Sequence, residues 1–449
     1  MPHLVAVALV MGAAVFALAP PADPDVWWHV RTGDWILSHH RLPAVDTWSI
    51  GGAGREWVAH AWLSEVLLSL FHKAFGLRGL SLYRGLGVAV LLTCLATQAF
   101  RRTSPSRALL VTTLAVFATV GGWGERPQLL SFLLLVPTAE LVRRHVAHPG
   151  RKLWWMVPLT YLWANLHGLW FLAPALVLLG VIGAIARPDP SNRWREVRAL
   201  LLVATGCVVV AGLTPNGPRL LAQPLRVNGY GQFVTEWGPP DIHSVFGLGF
   251  FLMVATFLVA FARSTRKQDA YAVGQVLFAV LLGLLYIRTI APAAVLLTPL
   301  LADALRPAVA PRPRGFAPAF VRGAMAVLVV LGIGGGLLVL TQEPELPPAA
   351  PVAATRALLE AVPQDARVLN EYAIGGWLLL FAPTAHPAID GRAEVYPVSY
   401  VGDYIAALKM SGDWESTIEP LHANVALLHP DTPLVNGLRD QLGWVPVYA

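Results

Sequence analysis

The stretch Ala17-Leu18-Ala19-Pro20-Pro21-Ala22-Asp23-Pro24-Asp25-Val26-Trp27-Trp28-His29 decides how this chain is read. It starts at the end of an apolar N-terminal run and passes at once into two carboxylates, two indoles and an imidazole. Charge beside a bilayer is costly unless it faces water or a site. The stretch therefore reads as the mouth of a membrane helix opening into a loop that carries chemistry.

Composition supports a membrane setting. Of 449 residues, 55% are hydrophobic and only 13% are charged, against about 25% charged in a soluble chain. Mean hydropathy is +0.56, so several spans are expected. The net charge of +6 is not a nucleic-acid signal, because the basic residues fall in short loops between apolar runs, as topology determinants do. Cys94 and Cys207 both lie inside apolar runs, which argues against a disulfide or a Cys-based metal site. The 16 Trp suit membrane interfaces, and tryptophan also stacks on sugar rings.

Working outward, apolar runs predict about eleven membrane spans, each near the length a bilayer requires. They fall at 3–20, 81–100, 108–122, 128–142, 153–165, 168–186, 199–214, 245–262, 270–286, 289–304 and 323–340. Ala17-Leu18-Ala19 also resembles a signal-peptide cleavage site, but no Lys or Arg precedes the run, which favours a retained helix. With the N-terminus inside, the inner loops collect Arg101, Arg102, Arg107, Arg143, Arg144, Arg151, Lys152, Arg187, Arg193, Arg195 and Arg198. Arg263, Arg266, Lys267, Arg306, Arg312, Arg314 and Arg322 continue the series, while the later outer loops hold only Arg126, Arg219, Arg226 and Arg288. The positive-inside rule then puts the C-terminus outside.

Three outer pieces remain: a first loop at 21–80, a Gly- and Pro-rich loop at 215–244, and a segment at 342–449 behind the linker Glu343-Pro344-Glu345-Leu346-Pro347-Pro348. The expected division is a transmembrane domain at 1–341 and a small α/β domain at 342–449. Arg367–Asn370 and Asn424–Leu428 read as strands there, and 352–362 and 401–410 as helices. In the first loop, 60–75 is amphipathic. Glu65, Ser69, His72 and Lys73 share one face, and Trp62, Leu63, Val66, Leu70 and Phe71 another. A helix of that kind lies flat in the membrane interface.

The candidate chemistry concentrates in the first loop. Asp23, Asp25 and Asp46 are its leading acids. A group transfer to a hydroxyl needs a carboxylate base, or a carboxylate that binds a metal at a leaving phosphate. Asp25 and Asp23 read equally as helix caps, and Asp46, in Pro43-Ala44-Val45-Asp46-Thr47-Trp48-Ser49, as a turn residue. His29, His60, His72 and His167 carry no metal-binding spacing and read first as structural. His167, beside Asn165 and Gly168, reads as a turn between helices. Arg126 follows Glu125 and either pairs with an acid or forks onto a phosphate. Arg288 needs an anionic partner, protein or lipid. Asp390-Gly391 reads as a turn, and Arg392 with Glu394 as a local salt bridge.

These residues together resemble a known pattern. It comprises Asp23-Pro24-Asp25-Val26-Trp27-Trp28-His29, Gly33-Asp34-Trp35-Ile36, and Pro43 with Asp46 and Ser49. Trp57, His60, Trp62-Leu63 and Glu65 follow, then Arg126-Pro127-Gln128 and Trp163-Ala164-Asn165-Leu166-His167-Gly168. Asn370-Glu371-Tyr372, Gly375-Gly376-Trp377 and Asp390-Gly391-Arg392 complete it. The chain resembles a family of bacterial multi-pass membrane proteins and, more broadly, the GT-C superfamily, which includes protein O-mannosyltransferases and lipid A aminoarabinose transferases. The resemblance implies an α-helical polytopic membrane protein with interfacial helices in its first outer loop. It implies transfer of a sugar from a polyprenyl-phosphate donor to a lipid, glycan or protein acceptor at the outer face of the cytoplasmic membrane. Asp25 would be the base, with Asp23 or Asp46 supporting it or holding a divalent metal ion. Arg126 and Arg288 would hold the lipid phosphate. Trp27, Trp28, His29, His60, Glu65 and His167 would line the substrate. The named groups carry an Asp-Glu pair where this chain has Asp-Pro-Asp, so the base stays open between the two Asp. A flippase of lipid-linked saccharides and a non-catalytic scaffold are the rival classes.

Overall fold

The computed structural model describes residues 1–186, 192–264, 269–307, 318–342, 346–347, 350–362 and 364–448. Arg187, Arg266, Lys267, Arg312 and Arg314, and linker residues 343–345 and 348, lie outside the described residues.

In chain order the helices begin with α1 (Pro2–Phe16), α2 (Val26–His39), α3 (Trp62–Phe75), α4 (Leu77–Arg102), α5 (Pro105–Thr119) and α6 (Gln128–Ala147). They continue with α7 (Met156–Leu166), α8 (Leu172–Ile185), α9 (Arg193–Ala211), α10 (Arg219–Val227), α11 (Val245–Ala262), α12 (Ala270–Leu285), α13 (Ile290–Ala304) and α14 (Pro318–Thr341). The C-terminal segment adds α15 (Val352–Ala361), β1 (Ala366–Asn370), α16 (Tyr372–Phe381), β2 (Ala385–Pro387), α17 (Val398–Leu408), α18 (Trp414–Ile418), β3 (Val425–Leu427) and α19 (Leu434–Asp440). Every span expected from sequence coincides with a helix. Among the described residues, 5 helical segments are long and apolar enough to cross a membrane: Leu77–Arg102, Pro105–Gly122, Gly168–Ile185, Val245–Ala262 and Ile287–Ala304. The chain is thus a mostly helical, multi-pass membrane protein.

The chain forms two compact units. One comprises Met1–Ala19, Arg78–Leu221 and Glu236–Pro344, and the other Pro20–Leu77, Ala222–Thr235 and Glu345–Ala449. The first loop thus shares a unit with the C-terminal segment.

In the first unit, local signals set the helix starts. Pro2 and Pro105 occupy first-turn positions, where a missing N–H costs nothing. Ser244 accepts from Gly247 N–H at 3.1 Å, and Asp269 from Ala272 N–H at 2.6 Å, capping α11 and α12. Helix α13 is buried continuously from Ile290 to Ala302 and packs on α5, α11 and α12. By contrast Leu248, Leu252, Leu258 and Val259 of α11 are exposed, as apolar side chains are where lipid is the solvent.

The second unit is built on a 3-stranded parallel sheet of order β2-β1-β3. Parallel neighbours need a crossover, and α16 supplies it between β1 and β2. Strand β2 reads Ala-His-Pro, too short and too weakly β-forming to signal itself in sequence. One core of this unit gathers Trp57, Tyr230, Tyr396, Tyr404 and Trp414. Helix α3 turns its polar stripe inward: Ser64, Glu65 and Ser69 are buried, while Leu70 and Phe75 are exposed. Ser69 donates to Asp34 of α2 at 2.7 Å, and Lys73 lies 3.2 Å from the same carboxylate oxygen.

Candidate functional site

Asp23 and Asp25 stand where the chain enters α2. The Asp23 carboxylate accepts from the Asp25 N–H at 3.0 Å, closing an Asx turn across Pro24. Asp25 holds the N-cap position of α2, yet its backbone is helical and its side chain makes no capping hydrogen bond. Its Oδ1 accepts instead from the indole Nε1 of Trp28 at 3.2 Å. The cap reading of Asp25 is therefore not how its carboxylate is used.

The aromatic residues of this stretch divide their roles. Trp27 is buried edge-on against Trp377 and Phe381 of α16, with ring centroids at 5.5 and 5.4 Å. It holds α2 against α16. Trp28 carries the Asp25 contact, and its ring lies 3.6 Å from that of His29. The His29 Nδ1 lies 3.2 Å from Glu65 Oε1, both residues buried. Burial first, and then the charge of Glu394, push the Glu65 carboxyl well above its ordinary range, against a smaller lowering by Arg392. His60 Nδ1 lies 3.7 Å from Glu394 Oε1.

Asp46 is fully buried in a network that the sequence reading did not foresee. Arg392 donates from its Nη1 to Asp46 at 2.8 Å, and from Nε and Nη2 to the two oxygens of Asp390 at 2.9 and 2.6 Å. Its guanidinium lies beside the edge-on pair of Trp48 and Trp57, 4.9 and 4.6 Å from their ring centroids. Asp46 also accepts from the Ser49 hydroxyl and from Trp48 N–H, and Tyr396 donates to Asp390 at 2.8 Å. Burial alone would lower the Arg392 pKa, but Asp390 and Asp46 hold it well above the usual value, so the charge is fixed. The expected Arg392–Glu394 salt bridge is corrected: Arg392 pairs with Asp390 and Asp46, and Glu394 faces His60. Asp390 and Asp46 together take the Nε, Nη1 and Nη2 donors of the guanidinium.

In the other unit, Arg126 donates to Glu236, with its Nη1 within 2.9 Å of both carboxylate oxygens. Glu125 is buried against Arg84 of α4. Arg84 also donates to the carbonyls of Ala17 and Ala19, satisfying the end of α1. Arg288 lies 4.8 Å from the ring centroid of Trp237. Arg288 and Glu236 line one cavity with Gly122, Gln128 and Phe246. Arg126, through Glu236, and Arg288 therefore converge. His167 sits in the turn after α7, where its Nδ1 accepts from Leu169 N–H at 3.3 Å and lies 2.9 Å from the Ser131 hydroxyl. Trp163 donates to that hydroxyl at 2.7 Å. Among the described residues, no group of three or more His, Cys, Asp or Glu is placed to hold a metal ion.

No protein-family model matches the sequence, and no curated protein matches it. In structure the chain is similar to the oligosaccharyltransferase of Archaeoglobus fulgidus. Against that enzyme with a tethered acceptor peptide the TM-score is 0.60 at 11% identity, over 94% of this chain and 68% of the other. Against its complex with zinc and sulfate the TM-score is 0.55 at 13% identity, over 94% and 67%. ArnT from Cupriavidus metallidurans aligns over 99% of this chain and 95% of its own at 16% identity, with a TM-score of 0.44. At such identities, the oligosaccharyltransferase likeness is one of fold.

Proposed function

We propose that this chain is a membrane glycosyltransferase of the GT-C type that takes a sugar from a polyprenyl-phosphate donor and passes it to an acceptor hydroxyl or amine at the outer face of a bacterial cytoplasmic membrane. The observation that carries the reading is the fold shared with an oligosaccharyltransferase over 94% of the chain. The acceptor oxygen or nitrogen attacks the anomeric carbon and the bond to the phosphate oxygen breaks. The electron pair leaves with the lipid phosphate, and the configuration inverts. Asp25 takes the acceptor proton. Its carboxylate is half-buried, is not spent on a cap, and is oriented by the Trp28 indole. Asp23 shapes the turn that presents it. Asp46, engaged by Arg392 and Ser49, acts as a positioning residue. Arg126 and Arg288 hold the phosphate, with Glu236 as the group it displaces. No step is routed through a metal ion, since the described carboxylates and imidazoles do not gather as a ligand set.

The flippase reading draws on buried charge pairs within the helical unit. The Arg84–Glu125 pair also satisfies the end of α1, which gives it a structural use. The test is turnover of undecaprenyl-phosphate carrying labelled mannose, glucose, galactose or aminoarabinose by the purified protein in lipid nanodiscs. Transfer or release of sugar is expected, and Asp25→Asn should lower it by about 10²–10⁴-fold, the worth of a placed general base. Normal turnover by Asp25→Asn beside collapse in Asp23→Asn moves the base to Asp23. Lipid translocation without bond cleavage supports the flippase, and neither activity supports a scaffold.

A further inference from the structure

The geometry points to Gly391 as a positioning residue for the Asp25 carboxylate: the Asp390-Gly391-Arg392 turn of the C-terminal segment is the stop against which the base is set. The inference rests on the reading of Asp25 as the base and adds a residue to it.

Gly391 lies in contact with Asp25. A methyl group built at its Cα would overlap Asp25 Oδ1, and would come to 2.6 Å from Trp28 Nε1 and 3.0 Å from Trp28 Cδ1. These are the carboxylate oxygen and the indole donor of the hydrogen bond that orients Asp25. Gly391 is not glycine for its torsions, because its φ lies outside the left-handed region. Alanine would fit the backbone there and fail only for space. Gly376 of α16 shows the same constraint from a second direction, since a methyl there would come to 2.8 Å from the Pro24 carbonyl oxygen and 3.3 Å from Trp28 Cδ1. Two glycines thus let the C-terminal segment close on the stretch Pro24–Trp28.

The turn itself is pinned. Asp390 and Arg392, on either side of Gly391, are fully buried and joined by a bidentate pair. Arg392 is tied to Asp46 at 2.8 Å, Asn370 Nδ2 donates to the Ile389 carbonyl at 2.8 Å, and Tyr372 donates to the Gly391 carbonyl at 3.2 Å. Asp25 is only half-buried. When a methyl is added at Gly391, the turn stays and the carboxylate and indole give way. A shift of about 1 Å at a reacting group costs on the order of 10²-fold in rate.

The test uses the full-length protein in nanodiscs and whichever of the four undecaprenyl-phosphate sugars the unmodified protein turns over. Gly391→Ala is expected to lower kcat by about 10²-fold with KM nearly unchanged. In the Asp25→Asn background the same change should do nothing further, because residues acting through one group are not additive. A merely structural role would instead lower activity by the same factor in both backgrounds, and that result overturns the inference, as does normal kcat for Gly391→Ala. If Gly391→Ala does not fold, Trp28→Phe keeps an aromatic ring and removes the donor. It should lower kcat by roughly tenfold, the worth of one hydrogen bond, again only when Asp25 is present. An undiminished kcat there overturns the inference too. Failure of the functional reading looks different: turnover survives in Asp25→Asn itself, or no probe turns over at all, and the positioning role falls with it.

Discussion

Replacing Arg392 by Met tests whether the buried network binds the first loop to the C-terminal segment. The guanidinium is wholly buried, makes charge-assisted bonds to both Asp390 and Asp46, and lies against two indoles. Met keeps much of the apolar contact and leaves two carboxylates without their cation. Removing one partner of a buried ion pair costs about 3–5 kcal/mol, a large share of the roughly 5–15 kcal/mol that holds a domain folded. The Trp48 and Trp57 rings beside the guanidinium make tryptophan fluorescence the natural probe of urea unfolding in detergent. The triple variant Arg392→Met, Asp46→Asn, Asp390→Asn should recover most of the loss, since neutral groups leave no charge stranded. Stability within about 1 kcal/mol of the parent at pH 8 would refute the network as the tie.

Glu65 is raised by burial first and by Glu394 second, among His29, His60, Glu394 and Arg392. Stability should thus decline as pH rises above the ordinary carboxyl value of 4.5, and Glu65→Gln should flatten that slope in urea titrations while keeping the fold. Arg84→Ala should destabilise by about 3–5 kcal/mol by removing the Arg84 cation from the buried Glu125 carboxylate, whereas Arg84→Ala with Glu125→Gln should regain most of the loss in the same titration. Reporter fusions after Arg263 and after Pro351 should report opposite sides of the membrane, and the same side for both would sink the orientation drawn from loop charge.

What the sequence made legible follows from the range over which each signal acts. Apolar runs are local, and a helix of membrane length declares itself within its own residues. That is why helices stand at each expected span, and why β1, β3, α15 and α17 lie where alternation and periodicity put them. Helix α16 and strand β2 escaped because Tyr372–Phe381 is short and uniformly apolar and Ala385–Pro387 has only three residues. The partners of the charged residues are a different matter. Arg392 reaches Asp46 across 346 positions, and Arg126 reaches Glu236 across 110. No spacing rule spans such distances, and so the reading offered Arg392 the acid two residues away and Arg126 a phosphate, the neighbouring Glu125 or a first-loop carboxylate. One clue was nonetheless present. Gly375 and Gly376 sit together among bulky residues of α16, and glycine without a turn signal marks a close approach of another element. The structure supplies the element: Gly376 and Gly391 meet Pro24, Asp25 and Trp28. The chemistry of the first loop is therefore not contained in the first loop. Its carboxylate and indole are seated by glycines more than three hundred residues away, and a change at either end should be felt at Asp25.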